Sequence, residues 1–434
     1  MNGRRAARTP ALLLALLTAA CTAQPGTGPD DGDARDPRPS TGSSQPAEDL
    51  PHGITFRQSV RRLADGGPVR VSVLAVAPDA PADIRTGHGG TVARTDTVLD
   101  LARAADAIAA VNGTYFDSDS ARYKGDPLGL YVSDGTLLSE ATNGRTALIL
   151  PGRGERPRIT ELRSATYVTS SDGARAVVDG TDRVPGRIVG CGGVGGDRRT
   201  DTGARTGDPL PGRVCFDPDE LVDFPDQWGA PTPGADRHSV EAVLDANGTV
   251  TAVRTPAGGP VPAGGRTLVG IGTAAGWLRA HATPGRTLTV ESHVTDPDGS
   301  AVDTEGASIV GAGPALVRHG RAWINAAANG VSQAAVSSRS PRTVAGIRPD
   351  GTLLLVVFDG RRPGVSEGVS LTEAAGVLVS LGAEDAINLD GGGSSTMVVR
   401  DKVRNSPSDP GDTDEERQRK VSNALLVVPR RLAP

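Results

Sequence analysis

Aromatic side chains are scarce: three tryptophans, four tyrosines and five phenylalanines make up 3% of 434 residues. A base-stacking or aromatic-platform surface has little to be built from. Net charge is −5 and the basic residues are scattered rather than striped, which argues against nucleic acid as a partner. Histidine occurs six times and cysteine three times, with no HExxH and no cysteine–histidine cluster, so a zinc site has no ligand set. The lysine of a P-loop is missing, and "DGGGSST" is not GxGxxG, so nucleotide folds are excluded too. The apolar run "ALLLALLTAA" at 11–20 is too short to span a bilayer as a helix.

What the chain has in plenty is glycine (57) and proline (33), which favour a loop-rich, strand-dominated protein over a helical bundle. Its first twenty residues are basic, then apolar, then small, and read as a signal peptide over 1–20. Small residues before Cys21 resemble a bacterial lipoprotein processing site, with lipidation at Cys21 and the membrane reached through that anchor only. Thr18 stands where such sites usually carry leucine, and ordinary cleavage near Ala20 or Ala23 would instead give a secreted protein. Residues 21–50 are rich in proline, glycine, serine and aspartate and read as a disordered tether. Cys191 and Cys215 then remain as an even pair in an exported chain, where disulfides persist.

The folded part is expected over 51–434, with a loop-rich elaboration at about 160–300 joined to the same core. Val69, Val71 and Val73 alternate as in a strand, and "TDTVLDLARAADA" (95–107) reads as a helix capped by Asp96 or Thr97. "GTLLLVVFDG" (351–360) is a buried strand ending at Asp359, and "SLTEAAGVLVSLGA" (370–383) a helix with a Ser370–Glu373 capping box. "DAINLD" (385–390) is the next strand. "DAIAAVNG" (106–113) and "DAINLDGG" (385–392) echo each other, through shared α/β grammar or because both strand ends point into one site. If the strands ending at Asp359 and Asp390 are parallel, both carboxylates lie at one sheet edge, where α/β sheets place ligands.

"GVSEG" (364–368) fits a nucleophile elbow at Ser366, but "DGRRP" separates it from the strand and every histidine precedes it, so a hydrolase triad is rejected. After Asp390, the amides of Gly391, Gly392 and Gly393 with the hydroxyls of Ser394, Ser395 and Thr396 are placed to form an anion-holding nest. Arg342, Arg361 and Arg362 flank the Asp359 strand as planar donors for a phosphate.

"AVNGTYFD" (110–117), "GPALVRHG" (313–320), the block at 340–375, "NLDGGGSSTMVV" (388–399) and the closing "VSNALLVV" together resemble the phosphodiester glycosidase family over roughly residues 70–430. That resemblance implies an α+β fold, with mixed β-sheets and packed helices around a cleft. It implies a site at Asn112, Tyr115, Phe116, Arg342, Thr343, Asp359, Arg361, Asn388, Asp390, Ser394, Ser395, Thr396 and Asn405. Thr114-Tyr115 departs from the glycine and phenylalanine common in the family.

The expected activity is hydrolysis of a sugar-1-phosphodiester at the anomeric bond, outside the cell or at a bacterial cell surface. Asp390 and Asp359 are the expected catalytic carboxylates, and Asn112 and Tyr115 are expected to orient sugar hydroxyls. The sequence requires no cofactor, and a divalent cation at Asp359 and Asp390 is left open. The expected partner is a sugar-phosphate or cell-envelope glycopolymer. The competing expectation is a lipoprotein that grips envelope glycopolymer without cleaving it.

Overall fold

The computed structural model describes residues 49–430 apart from 64–65, 121, 143, 153–154, 195 and 211–212. The leader, Cys21 and nearly all of the tether expected from the sequence lie outside the described residues.

Two antiparallel sheets enclose the main core. The first runs Ile54–Arg62, Pro68–Val76, Leu353–Phe358, Arg342–Ile347, Asp385–Asn388, Ala315–Arg318 and Arg321–Ala322 in spatial order. The second runs Lys402–Val403, Met397–Val399, Ala109–Asn112, Ala424–Pro429 and Ala82–Gly87. Between them are buried Leu74, Val111, Leu355, Val357, Ile387, Met397, Leu425 and Val427. Full burial of each large aliphatic side chain contributes roughly 1.5–3 kcal/mol, so this seam is a major stabilising element.

Alternation along Leu353–Phe358 serves both faces of its sheet. Leu355 and Val357 enter the seam, while Leu354, Val356 and Phe358 pack under the helix Leu371–Ser380 through Leu371, Ala374, Ala375 and Leu378. Ser370 and Glu373 form both bonds of the expected capping box, which fixes where this helix begins. On the far face of the second sheet lies the helix Val98–Ala104, capped by Thr97. Its Val98, Leu99, Leu101 and Ala102 meet Ala110, Val398 and Leu426.

The expected α+β class is overturned: the fold is mostly β, with 39% strand against 11% helix and many antiparallel sheets. The difference arises chiefly between residues 127 and 310, where many strands have only two to five residues. Strands so short carry too few residues to display a period of two. The composition reading, strand-dominated and loop-rich, was the better guide. Within the region read as an elaboration, a five-stranded sheet from Gly180–Thr181 to Arg266–Gly270 packs on the helix Gly272–His281 around its own cluster, including Leu221, Val240, Leu268 and Leu278.

Candidate active site

The expected direction of the two key strands holds. Leu353–Phe358 and Asp385–Asn388 each pair antiparallel with Arg342–Ile347 between them, so they run the same way and end at one edge. Arg342, which pairs with Phe358, starts its own strand at that edge. The second sheet contributes the end of Ala109–Asn112, so the two echoed segments do meet. The Asn112 amide donates to the Asp390 carbonyl at 2.6 Å, and the Asp390 amide donates to the Gly113 carbonyl at 3.1 Å.

A cavity of about 440 Å³ opens over this junction. Of the residues expected from the sequence, Tyr115, Phe116, Arg342, Asn388, Asp390 and Ser394 line it. Asp390 is half-buried, and burial pushes its carboxyl up to about 6, partly opposed by Ser394, the Gly391 amide and Arg419. The Ser394 hydroxyl favours the ionised carboxylate, yet it reaches no partner in full hydrogen-bond geometry and stays available. The hydroxyl of Tyr115 donates to the Gly313 carbonyl at 2.8 Å and accepts from Asn388 at 2.8 Å. Burial first, and the Asp390 charge second, push that phenol up to about 12, so it stays neutral. The Asn388 Oδ1 atom is buried without a partner.

Other expected residues hold the site together from behind. Asn112 Oδ1 accepts from the Thr343 hydroxyl at 2.7 Å and from the Thr396 amide at 3.2 Å. Asn405 accepts from the Met397 amide at 2.8 Å and donates to the Ser395 carbonyl at 2.9 Å. Neither Asn112, Thr343 nor Asn405 is among the cavity's lining residues, and all three are buried. They are positioning residues.

Two of the three glycine amides expected to form the nest are already taken within the fold. Gly391 donates to Asp390 Oδ1, Gly392 to the Pro341 carbonyl, Ser394 to Gly391 and Ser395 to Gly392. The glycines also have steric reasons. Gly392 has a φ of 63°, in the left-handed region that excludes most side chains. A Cβ on Gly393 would collide with the Arg419–Asp409 ion pair, which lies against the loop. The hydroxyls of Ser395 and Thr396 are buried without partners and lie outside the cavity lining.

Asp359 is also elsewhere. Both its oxygens take the Ser406 amide at 3.1 Å, it is buried, and it is not among the lining residues. A cation held jointly by Asp359 and Asp390 gains no support from this placement, and no group of three or more His, Cys, Asp or Glu side chains suited to a metal occurs among the described residues. Asp359→Asn is therefore expected to keep turnover within about tenfold of the parent, because an asparagine oxygen can accept the same amide hydrogen. Loss of activity in a well-folded Asp359→Asn protein, measured by initial rates, would return Asp359 to the catalytic set. Ser366 is buried, donating to the Asp359 carbonyl at 2.7 Å and accepting from the Arg70 amide, which agrees with rejecting it as a nucleophile. Arg361 is exposed and reaches Ser408 at 3.3 Å beside Gly392.

Sequence reading missed two lining arginines, Arg145 and Arg419, and the wall formed by Val189 and Gly190. Arg419 pairs with Asp409 through two contacts of 3.0 Å. That wall precedes Cys191, which is bonded to Cys215 across a separation of 24 residues. Opening this disulfide is expected to lower stability by roughly 3 kcal/mol in the chain-entropy model and to raise KM as the wall loosens. Thermal midpoints and kinetics of the Cys191→Ser, Cys215→Ser double variant check both effects.

Residues 238–428 match the family model described as phosphodiester glycosidase. The bovine N-acetylglucosamine-1-phosphodiester alpha-N-acetylglucosaminidase is 34% identical over 134 residues, 27% of this chain and 24% of that protein. A prophage-derived protein of Bacillus subtilis strain 168 is 39% identical over 71 residues, 16% of this chain and 11% of its own length. The matched stretches thus span a quarter or less of these relatives. Among solved structures, a Burkholderia pseudomallei K96243 protein described as exported has a TM-score of 0.73 at 32% identity, covering 84% of this chain and 74% of that one. A hypothetical protein from Synechocystis has a TM-score of 0.67 at 24% identity over 89% of this chain and 64% of that one, a likeness of fold. With six of the motif residues lining one cavity and the family match running through Asp390, the resemblance read from the sequence holds: residues 238–428 match the phosphodiester glycosidase family.

Proposed function

We propose that the protein is an exported hydrolase that cleaves a glycosyl phosphodiester at the anomeric bond, with Asp390 as its working carboxylate. The observation that carries this reading is the charge pattern of the cavity. Among the described residues, Asp390 is the one carboxylate that lines the cavity, and it shares the cavity with Arg145, Arg342 and Arg419. A negatively charged substrate is attracted by such a site, and a carboxylate with its pKa raised to about 6 is suited to proton transfer near neutral pH.

In this reading Tyr115 and Phe116 form the wall for the sugar, and Arg342 with the Ser394 hydroxyl holds the phosphate. Arg342 is pre-oriented, donating to the carbonyls of Ala335 at 3.0 Å and Ser338 at 2.9 Å. Asp390 accepts a proton from water as the water oxygen bonds to the anomeric carbon. The carbon–oxygen bond to phosphate breaks and its electron pair leaves on the phosphate. The phosphomonoester has a second pKa of about 6 and departs without needing a strong general acid. Electrostatic stabilisation by fixed donors then carries more of the catalysis.

Export is supported by the disulfide and by the description of the Burkholderia relative. A cell-envelope glycopolymer carrying sugar-phosphate diesters remains the proposed natural target, and lipidation at Cys21 the proposed means of retention. The test follows an α-N-acetylglucosaminyl phosphodiester by proton and phosphorus NMR with the purified protein. Free sugar plus phosphomonoester is the expected result. Perturbed ligand signals without turnover would favour the glycopolymer-binding alternative, and no response at all would reject this substrate class.

A further inference from the structure

Arg145 is the cavity residue whose charge is left unexplained. It lines the cavity, yet its Nε is buried without a hydrogen-bond partner. Burial lowers its pKa, and the ionisable group that counteracts this is Tyr115, itself a neutral phenol, rather than a carboxylate. Arg145 is half-buried, and a partly desolvated guanidinium with no counter-charge destabilises a folded chain unless a ligand supplies the missing charge.

Arg342 is in the same situation. Its side-chain donors go to the backbone carbonyls of Ala335, Ser338 and Val369, and the ionisable groups that bear on it are the neutral Tyr115 phenol and the Arg361 cation, neither of them an anion. Arg419, by contrast, already has Asp409. Arg145, Arg342 and Tyr115 line one cavity, and both guanidiniums favour the ionised form of the phenol. With Asp390 ionised, the two uncompensated guanidiniums leave a single net positive charge, which a phosphodiester monoanion neutralises. With Asp390 protonated they leave two, which a phosphate dianion neutralises, so the dianion enters with a proton taken up by Asp390, whose carboxyl burial has already pushed up to about 6.

We infer that Arg145 and Arg342 form a two-guanidinium clamp that binds a terminal phosphate dianion, so that the phosphomonoester product, and inorganic phosphate with it, occupies the cavity and competes with substrate. This rests on the proposed function for the identity of the product, but not for the clamp itself. Two planar guanidiniums presented to one phosphate give charge-assisted, geometrically selective recognition. Release of the phosphorylated product then becomes a step that the clamp slows.

The experiment titrates inorganic phosphate, methyl phosphate and dimethyl phosphate separately into the protein by calorimetry at neutral pH, with Arg145→Met, Arg145→Lys and Arg342→Lys alongside. Phosphate and methyl phosphate should bind about tenfold or more tightly than the monoanionic dimethyl phosphate. Arg145→Met should lose about tenfold or more in phosphate affinity while its thermal midpoint stays level or rises, because a partly desolvated, unpaired charge has been removed. Arg145→Lys should recover part of the binding.

Equal affinity for dimethyl phosphate, or wild-type phosphate affinity in Arg145→Met, would overturn the clamp. So would a lowered midpoint in Arg145→Met, which would make Arg145 a structural residue. These titrations involve no sugar and no turnover. Binding without hydrolysis of glycosyl phosphodiesters would leave the clamp standing and reject the activity. Hydrolysis without phosphate binding would do the reverse.

Discussion

Asp390→Asn is expected to lose at least about a thousandfold in turnover while remaining folded, because no second carboxylate among the described residues lines the cavity to take its place. The parent rate should fall as pH drops below about 6, since a base must be ionised to accept the proton of water and Asp390 titrates there. The slope should approach tenfold per pH unit on the acid side. Stability moves the other way. The folded-state pKa of Asp390 is raised above its ordinary value of 3.8, so its contribution is most favourable below that value and is lost as pH rises through about 6. At neutral pH holding the charge there costs roughly 2–3 kcal/mol.

Asparagine removes that cost and keeps an oxygen for the Gly391 amide, so Asp390→Asn should melt no lower than the parent at pH 7. An inactive variant with undiminished stability separates a working carboxylate from a turn-capping one. Turnover retained by Asp390→Asn, or an acid limb unchanged in it, would remove Asp390 from the chemistry.

How far the sequence announces this site depends on how local each feature is. The capping box at Ser370 and Glu373 lies within four residues and is realised with both bonds. The strand ends at Asn388 and Asp390 were legible because an apolar run stops against a polar loop. Asp359 satisfies the same local pattern, but its carboxylate is claimed by an amide 47 positions away, at Ser406. No local rule foresees that bond.

The nest is partly occupied for a similar reason. Gly392 donates to Pro341, and Gly393 makes room for Arg419 and Asp409, neighbours distant in sequence. Arg145 was invisible because an isolated arginine before a short strand is indistinguishable from a solvated one until the wall at Val189 and Gly190 closes over it. The fold class was misread where strands are shortest, in the glycine- and proline-punctuated stretches between the family motifs.

Asn112→Ala should be the most damaging single change to the fold around the site. Sequence reasoning placed Asn112 against the sugar, where its loss would raise KM and leave stability alone. The structure gives it three bonds, a part-buried one to the Asp390 carbonyl and buried ones to the Thr343 hydroxyl and the Thr396 amide. Alanine would leave these partners desolvated and unmatched, at roughly 1–3 kcal/mol each, for a total loss of roughly 3–5 kcal/mol after partial relaxation. The same bonds join the two sheets at the point where Asp390 is aimed, so the carboxylate should shift as well. A displacement of about 1 Å is enough to cost on the order of a hundredfold in rate.

Denaturant midpoints and single-turnover rates, taken well below the melting temperature, check the two effects independently. A lowered midpoint together with slowed chemistry is the signature of a staple. A parental midpoint with only a raised KM would instead put Asn112 in contact with the sugar. Thr343→Val, which removes one of the same bonds at similar volume, should show a smaller loss in the same direction. Because the two residues share a bond, the double variant should cost less than the sum of the single changes. Full additivity would mean that the Thr343–Asn112 bond does not couple the sheets, and the site would then owe its alignment to the Asn112–Asp390 contact alone.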